Sequence, residues 1–273
     1  VGIARLQEVI GSFHFAIAFG VAEMKVAISQ PTYLPWIGYF DLIDQVDVFV
    51  LLDNVQFKKR SWQQRNRIKT PIGLQWLTVP VVVGGRPNQQ ILEVKIREMD
   101  FWVNHCRAIE LNYRRSNFFG DYFETLTEKL KGSESKLLFD MNLRLIDWFI
   151  DLLDIKTRIV RSSELHQAGK RTELLANICA ALGATQYVSP LGSADYLLEE
   201  KDIISNRGIE VVFQNYVHPE YTQLFPPFLS YASALDLLFN EGRHSLEILR
   251  TGRRDPFLPL QVAAQLGEHA PIS

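Results

Sequence analysis

The chain has 273 residues, 47% of them apolar and 22% charged, with a formal net charge of −2. That balance excludes a disordered or collagen-like chain and gives no global drive toward nucleic acid or membrane surfaces. The only two cysteines, Cys106 and Cys179, make no CxxC pair and no disulfide framework, which points to a reducing compartment and to packing roles for both.

The opening residues hold the apolar run "FHFAIAFGVA", too short to span a bilayer. Met24 follows directly, so residues 1–23 are expected to be a poorly ordered leader. "KVAIS" (25–29) reads as a β-branched strand and "QPTYLP" as a Pro-punctuated turn. "WIGYFDLIDQV" (36–46) places Trp36, Ile37, Phe40 and Ile43 at helical spacing. "DVFVLLD" (47–53) is a continuous apolar run, the mark of a strand covered on both faces. Together these form a βαβ unit with a right-handed crossover. The stretch "NVQFKKRSWQQRNRIKT" (54–70) then packs six cations and no anion into seventeen residues and reads as a loop. "QWLTVPVVV" (75–83) and "ILEVKI" (91–96) read as strands.

From 101 to 153 the pattern is helical, with Leu138, Met141, Leu145, Trp148 and Leu152 on one face. "TRIVRSSEL" (157–165) returns to strand, and "RTELLANICAALGA" (171–184) is a helix closed by Gly183. "QYVSP" and "IEVVFQNY" (209–216) are strands, and "YASALDLLFNEG" (231–242) is a helix stopped by Gly242. From about 251 a loose tail is expected. The expected fold class is α/β: a mainly parallel, Rossmann-like sheet flanked by helices, with a helical insertion at about 101–153. A single domain is expected over 24–250.

Open parallel sheets bind ligands at the carboxyl ends of their strands. The first loop brings Gln30, Thr32 and Tyr33 there, with the free N–H groups of the following helix. Asp53, Asn54 and Gln56 follow the second strand. The basic segment adds Lys58, Lys59, Arg60, Arg65, Asn66, Arg67 and Lys69, with Phe57 and Trp62 available to stack on a base or sugar. Desolvated charge-assisted bonds of this kind are worth roughly 1.5–3 kcal/mol each. A solvated basic hairpin is the plainer alternative. Six charges on one loop, without a basic global balance, suit a small anion better than DNA.

A third loop offers Ser189, Ser193 and Tyr196. The segment 213–230 offers Gln214, Tyr216, His218, Tyr221 and Gln223. His218 is the candidate general base and Asp53 the second catalytic candidate. His105 reads as a packing residue. No metal-ligand spacing, GxSxG or cofactor motif is present, so neither a metal nor a cofactor is assigned.

"ISQPTYLPWIGYFDLIDQVDVFVLLDNVQFKKRSWQQRNRIKT" resembles the opening motif of the WbqC-like family. "WLTVPV", "SSEL", "ALGATQYVS", "DYL", "GIEVVFQNYVHPEYTQ" and "FLSYASALDLLFNEG" follow in that family's order, so the likeness runs from about Met24 to Gly242. The loop "PLGSADYL" is poorer in Gly than the family's pattern. The resemblance implies a bacterial, cytoplasmic protein associated with O-antigen and other surface-polysaccharide gene sets. It implies transfer of an amino-acyl group to the amino group of a modified sugar.

The unit strand–"QPTYLPWIGYF"–strand also looks like the start of nucleotidylyltransferase-type folds, although their HxGH is missing. Two functions follow. One is a transferase acting on a nucleotide-linked amino sugar, its acyl donor undefined. The other is a non-catalytic nucleotide-sugar or partner-binding protein of the same pathway. Neither calls for membrane insertion.

Overall fold

The structure, a computed structural model, describes residues 23–85, 88–132 and 135–268. The expected leader, up to residue 22, lies outside the described residues. Strands β1 (Lys25–Ser29), β2 (Val48–Leu51), β5 (Arg158–Arg161), β6 (Gln186–Ser189) and β7 (Glu210–Phe213) form one sheet of order β5-β2-β1-β6-β7. Every pairing in it is parallel. The strand order reverses between β1 and β6, which makes their carboxyl ends the topological switch point.

The period of two along each strand splits its side chains between two cores. Ala27, Phe49, Leu51, Val188 and Val212 face one; Val26, Ile28, Val48, Val50, Val211 and Phe213 face the other. The first face is covered by α1 (Ile37–Asp44), by the inserted helices α2 (Phe101–Tyr113), α3 (Phe119–Lys131) and α4 (Leu138–Leu152), and by α8 (Ala234–Glu241) and α9 (Ser245–Thr251). The second is covered by α5 (Thr172–Ala181), α6 (Ala194–Glu200), α7 (Asp202–Ser205) and α10 (Pro259–Glu268). The α/β sheet with helices on both faces is therefore as the patterns require.

Aromatic contacts fix α1. Tyr39 meets Phe49 of β2 at 5.4 Å between centroids, and Phe40 meets Phe149 of α4 at 4.9 Å. Burying a side chain of this size contributes about 1.5–3 kcal/mol. On α4, Leu138, Met141, Leu145 and Trp148 are buried, while Leu152 at the helix end is 37% exposed.

Four segments differ from the sequence expectation, the shortest being Ser162–Leu165, read as strand but a 3-10 turn. The basic stretch is not all loop: β3 (Arg65–Thr70) pairs antiparallel with β4 (Gly73–Thr78). Its tight turn places Pro71 and Ile72 between Thr70 and Gly73, and Gly73 adopts φ 129°, a conformation open to glycine.

Residues 91–96 are not a strand but open with a 3-10 turn at Ile91–Glu93. Glu93 accepts from Gln90 N at 2.9 Å, and Ile91 N and Leu92 N bond the carbonyls of Val55 and Asp53, so these donors serve a cap and a strand end rather than a ladder. The tail is not loose over 257–268. Phe257 exchanges backbone bonds of 2.9 Å with Phe213, and Val262 of α10 is buried in the second core.

Candidate functional site: a crevice at the switch point

Four chain segments converge outside the carboxyl ends of β1, β6 and β7. They enclose a crevice lobe of about 510 Å³ lined by Thr32, Trp36, Trp62, Asn66, Arg67, Gly192, Gln214, Tyr216 and Tyr231, among others. A second lobe of about 410 Å³ shares Ser29, Thr32, Trp62, Pro190 and Gly192 with it, and adds Gln30, Gln63, Ser193 and Tyr196. Both volumes fall within the range of ligand pockets, roughly 300–1,000 Å³.

The first loop is held to the basic segment by Tyr33 N on Trp62 O at 2.9 Å and by Gln63 Nε2 on Gln30 Oε1 at 2.7 Å. The inserted helices brace both. Asn142 of α4 donates to Gln63 O at 2.8 Å, and Tyr33 donates its hydroxyl to His105 Nδ1 of α2 at 2.7 Å. Burial lowers the His105 pKa to about 4, against the opposing backbone bond with Thr78, so this imidazole is neutral. His105 is a packing residue, and both cysteines are buried thiols whose pKa burial raises, Cys179 to about 12.

Trp36 caps α1 and lies over Gly38, where an added Cβ would come within 2.1 Å of the indole. Only glycine lets that ring close against the helix start and form one wall. Tyr216 and Tyr231 stand beside it, with centroids at 5.7 and 5.2 Å. Gln214 donates to Gly38 O and Asp41 Oδ2, both at 2.8 Å, and so ties the end of β7 to α1.

The hairpin supplies the charge. Arg67 and Trp76 are register partners across β3–β4, so they share a face, and Arg65 lies two residues from Arg67 on the same face. The Arg65 guanidinium lies 4.1 Å from the Trp76 ring; that of Arg67 lies 5.4 Å from Trp76 and 5.5 Å from Trp62. Arg67 Nη2 reaches Tyr231 O at 3.5 Å, but Arg65 Nε and Arg67 Nε are buried with no partner among the described residues. An unpaired buried donor is costly, and a ligand acceptor would relieve it.

His218 stands behind the aromatic wall. Its centroid is 6.1 Å from Trp36, 6.1 Å from Tyr221 and 5.4 Å from Tyr231. Nδ1 donates to Pro219 O at 2.9 Å, which leaves the lone pair on Nε2, and Nε2 is buried without a partner among the described residues. Burial lowers its pKa, more than the Pro219 bond raises it. A neutral imidazole with a free lone pair is a base awaiting a proton.

Other sequence candidates lie elsewhere. Asp53 is fully buried and accepts four bonds, from Ser162 Oγ, Ser163 N, Ser163 Oγ and Arg161 Nε, at 2.9, 2.9, 2.7 and 3.1 Å. It clamps β2 to the turn after β5 and has no lone pair left for catalysis. Asn54 Oδ1 lies 2.7 Å from Ser162 Oγ in the same clamp.

Tyr221 Oη and Gln223 Nε2 donate to buried Asp236 at 2.8 and 2.7 Å, joined by Tyr113 Oη at 2.9 Å; this network belongs to the core. Tyr33, Phe57 and Ser189 are buried, and Lys69 is 2% exposed. Lys58, Lys59 and Arg60 point out to solvent, as does Gln56, bridged to Gln90.

Of the proposed site residues, the crevice thus gathers Gln30, Thr32, Trp62, Asn66, Arg67, Ser193, Tyr196, Gln214 and Tyr216. Sequence reasoning missed Trp36, Trp76 and Tyr231 as site residues. Trp36 was legible as a helix-face residue only, and the signal for Trp76 was its place across a two-residue turn from Arg67. Among the described residues, no group of His, Cys, Asp and Glu could hold a metal, and no helix is long and apolar enough to cross a membrane.

A parallel α/β sheet with an open crevice at its switch point defines the class. Residues 30–248 match the WbqC-like protein family, and the chain belongs to it. It is 40% identical over 231 residues to the uncharacterized protein Rv1507c of Mycobacterium tuberculosis, covering 84% of this chain and 99% of that one. No solved structure gives a significant match.

Proposed function

We propose that the crevice binds a nucleotide-linked amino sugar, and that the protein transfers an amino-acyl or acyl group to its amino nitrogen in bacterial surface-polysaccharide (O-antigen) biosynthesis, in the cytoplasm. The observation that carries the reading is Arg67, whose buried, unpaired Nε sits beside two indoles at the crevice. A guanidinium offers parallel donors to phosphate, and the aromatic rings offer faces to a base or sugar. The family resemblance supplies the sugar and the acyl group; the site chemistry supports the anion.

In the reaction the amine forms a C–N bond to the donor's carbonyl carbon. The donor's bond to its oxygen or sulfur carrier breaks, and the electron pair leaves on the carrier. The proton released from nitrogen passes to His218 Nε2 and from there to the carrier. Arg67 holds the phosphate, and Trp36, Tyr216 and Tyr231 orient the sugar.

The second reading is a non-catalytic nucleotide-sugar or partner-binding protein. It is favoured by the closure of His218 Nε2 behind the aromatic wall. Mass spectrometry of a nucleotide-linked amino sugar separates the two. The sugar is incubated with the protein and, in parallel, an aminoacyl-tRNA, an acyl thioester, or an amino acid with ATP. A mass gain of one acyl group supports transfer. Binding with no gain from any donor supports the second reading.

A further inference from the structure

We infer that the two lobes divide the ligand: the nucleoside enters the uncharged lobe, the diphosphate lies at the waist beside Arg67, and the amino sugar fills the aromatic lobe. This rests on the nucleotide-sugar reading and gives it an orientation.

The lobes differ in chemistry. The aromatic lobe has one charged side chain, Arg67, together with Trp36, Tyr216 and Tyr231. Among the described residues the other lobe has none; its polar groups include Gln30, Ser61, Gln63, Ser193 and Tyr196. Arg171, stacked on Tyr196 at 5.5 Å, is paired with Glu200 at 3.3 Å. An uncharged polar lobe penalises a phosphate or an ammonium and accepts a neutral group that forms hydrogen bonds. A nucleobase is such a group.

The recognition groups are set in place beforehand. Gln63 Oε1 accepts from Lys58 N at 3.0 Å and Gln63 Nε2 donates to Gln30 Oε1 at 2.7 Å. That fixes the Gln30 amide and leaves its –NH2 without a partner among the described residues, a donor for an acceptor on a base edge. Trp62 lies at the waist, shared by both lobes and 47% exposed, where a base can stack on it. The aromatic lobe suits the other end. Its ring faces attract an ammonium, and His218 lies behind that wall and not behind the uncharged lobe.

The test uses calorimetric titration of the full chain with uridine, thymidine and guanosine diphosphates and with an amino-sugar 1-phosphate. Wild type is expected to bind all four, with a spread of about tenfold among the bases. Ser193→Phe, which fills the uncharged lobe, should weaken the diphosphates about tenfold or more and leave the sugar phosphate within about twofold. Gln30→Ala, at an exposed position, should collapse the spread among the bases. Arg67→Ala should weaken all four. Equal losses for both kinds of probe in Ser193→Phe, a loss confined to the sugar phosphate, or an unchanged base spread in Gln30→Ala would overturn the division while leaving the nucleotide-sugar reading in place. If wild type binds no probe, that reading falls and the division with it.

Discussion

The two ends of one sheet each carry a cavity with half-buried arginine chemistry beside it, yet they use it differently. At the amino end, a cavity of about 620 Å³ is lined by Lys25, Asp44, Gln186, Arg250, Arg253 and Arg254, among others. There Arg253 bonds Asp41 at 2.8 Å and Asp44 at 2.5 Å, and Arg250 makes two bonds of 2.8 Å to Asp44. Burial alone would raise the Asp44 pKa, but the bonds from Arg250 and Arg253 together hold it below its ordinary value.

At the carboxyl end, Arg65 and Arg67 have no carboxylate partner among the described residues, and their Nε atoms are unpaired there. The first set has spent its donors fastening α9 and the turn after it to α1. The second set has donors left over. Where a chain satisfies its own arginines they are part of the fold; where it leaves their Nε donors buried and open, they are available to a ligand.

Breaking the amino-end set should cost stability. Arg253→Ala leaves buried Asp41 without its cation, held only by the amides of Gln214 and Gln45, a loss of about 3 kcal/mol, the low end for such pairs because those two donors remain and Arg253 is 30% exposed. Urea unfolding checks this, and Arg67→Ala should stay within about 0.5 kcal/mol of wild type in the same series. A larger loss for Arg67→Ala than for Arg253→Ala would reverse the comparison.

His218→Ala should lower turnover about a hundredfold and leave nucleotide-sugar affinity within about twofold. Because burial lowers the His218 pKa, the acid limb of the rate profile should lie below pH 6.5, where the base becomes protonated. Steady-state rates across pH 4–8 check both points. Trp76→Ala removes a ring that flanks both guanidiniums and should weaken anion binding by about 0.5–1 kcal/mol, a few-fold change.

The smallest effect is on acid stability. The unfolded chain takes up a proton at His105 near pH 6.5, whereas the folded imidazole holds out to about 4. Its contribution is therefore fully present above about pH 6.5 and is lost as pH falls toward 4. Asp44, with a lowered folded pKa, adds loss in the same direction at lower pH. His105→Gln should flatten the first part of that slope in thermal melts.

The β1–α1–β2 unit was legible because its information is local. A β-branched run, a Pro-bounded turn, a helical period and a buried strand follow each other within thirty residues. The convergence of Gln30, Thr32, Trp62 and Arg67 was legible for the same reason, since each follows or lies near a strand that the sequence marks. What escaped the sequence depends on distant partners. Asp53 looks catalytic until Ser162 and Ser163, about 110 residues on, fill its lone pairs. Lys69 looks like one more surface cation until Tyr113 and the core around Asp236 enclose it. Trp76 joins the site only once the hairpin register sets it across from Arg67.

The central claim is that the open arginines of the carboxyl end hold an anion. Calorimetric titration with a nucleotide diphosphate sugar, wild type against the double variant Arg65→Ala and Arg67→Ala at matched low salt, tests it most directly. The account predicts a loss of roughly 1.5–3 kcal/mol from Arg67, which lines the crevice, with Arg65 adding less from the same hairpin face, a factor of about ten to a hundred in affinity, with the fold intact. Unchanged affinity in the double variant would contradict it and would make the basic hairpin a solvated face.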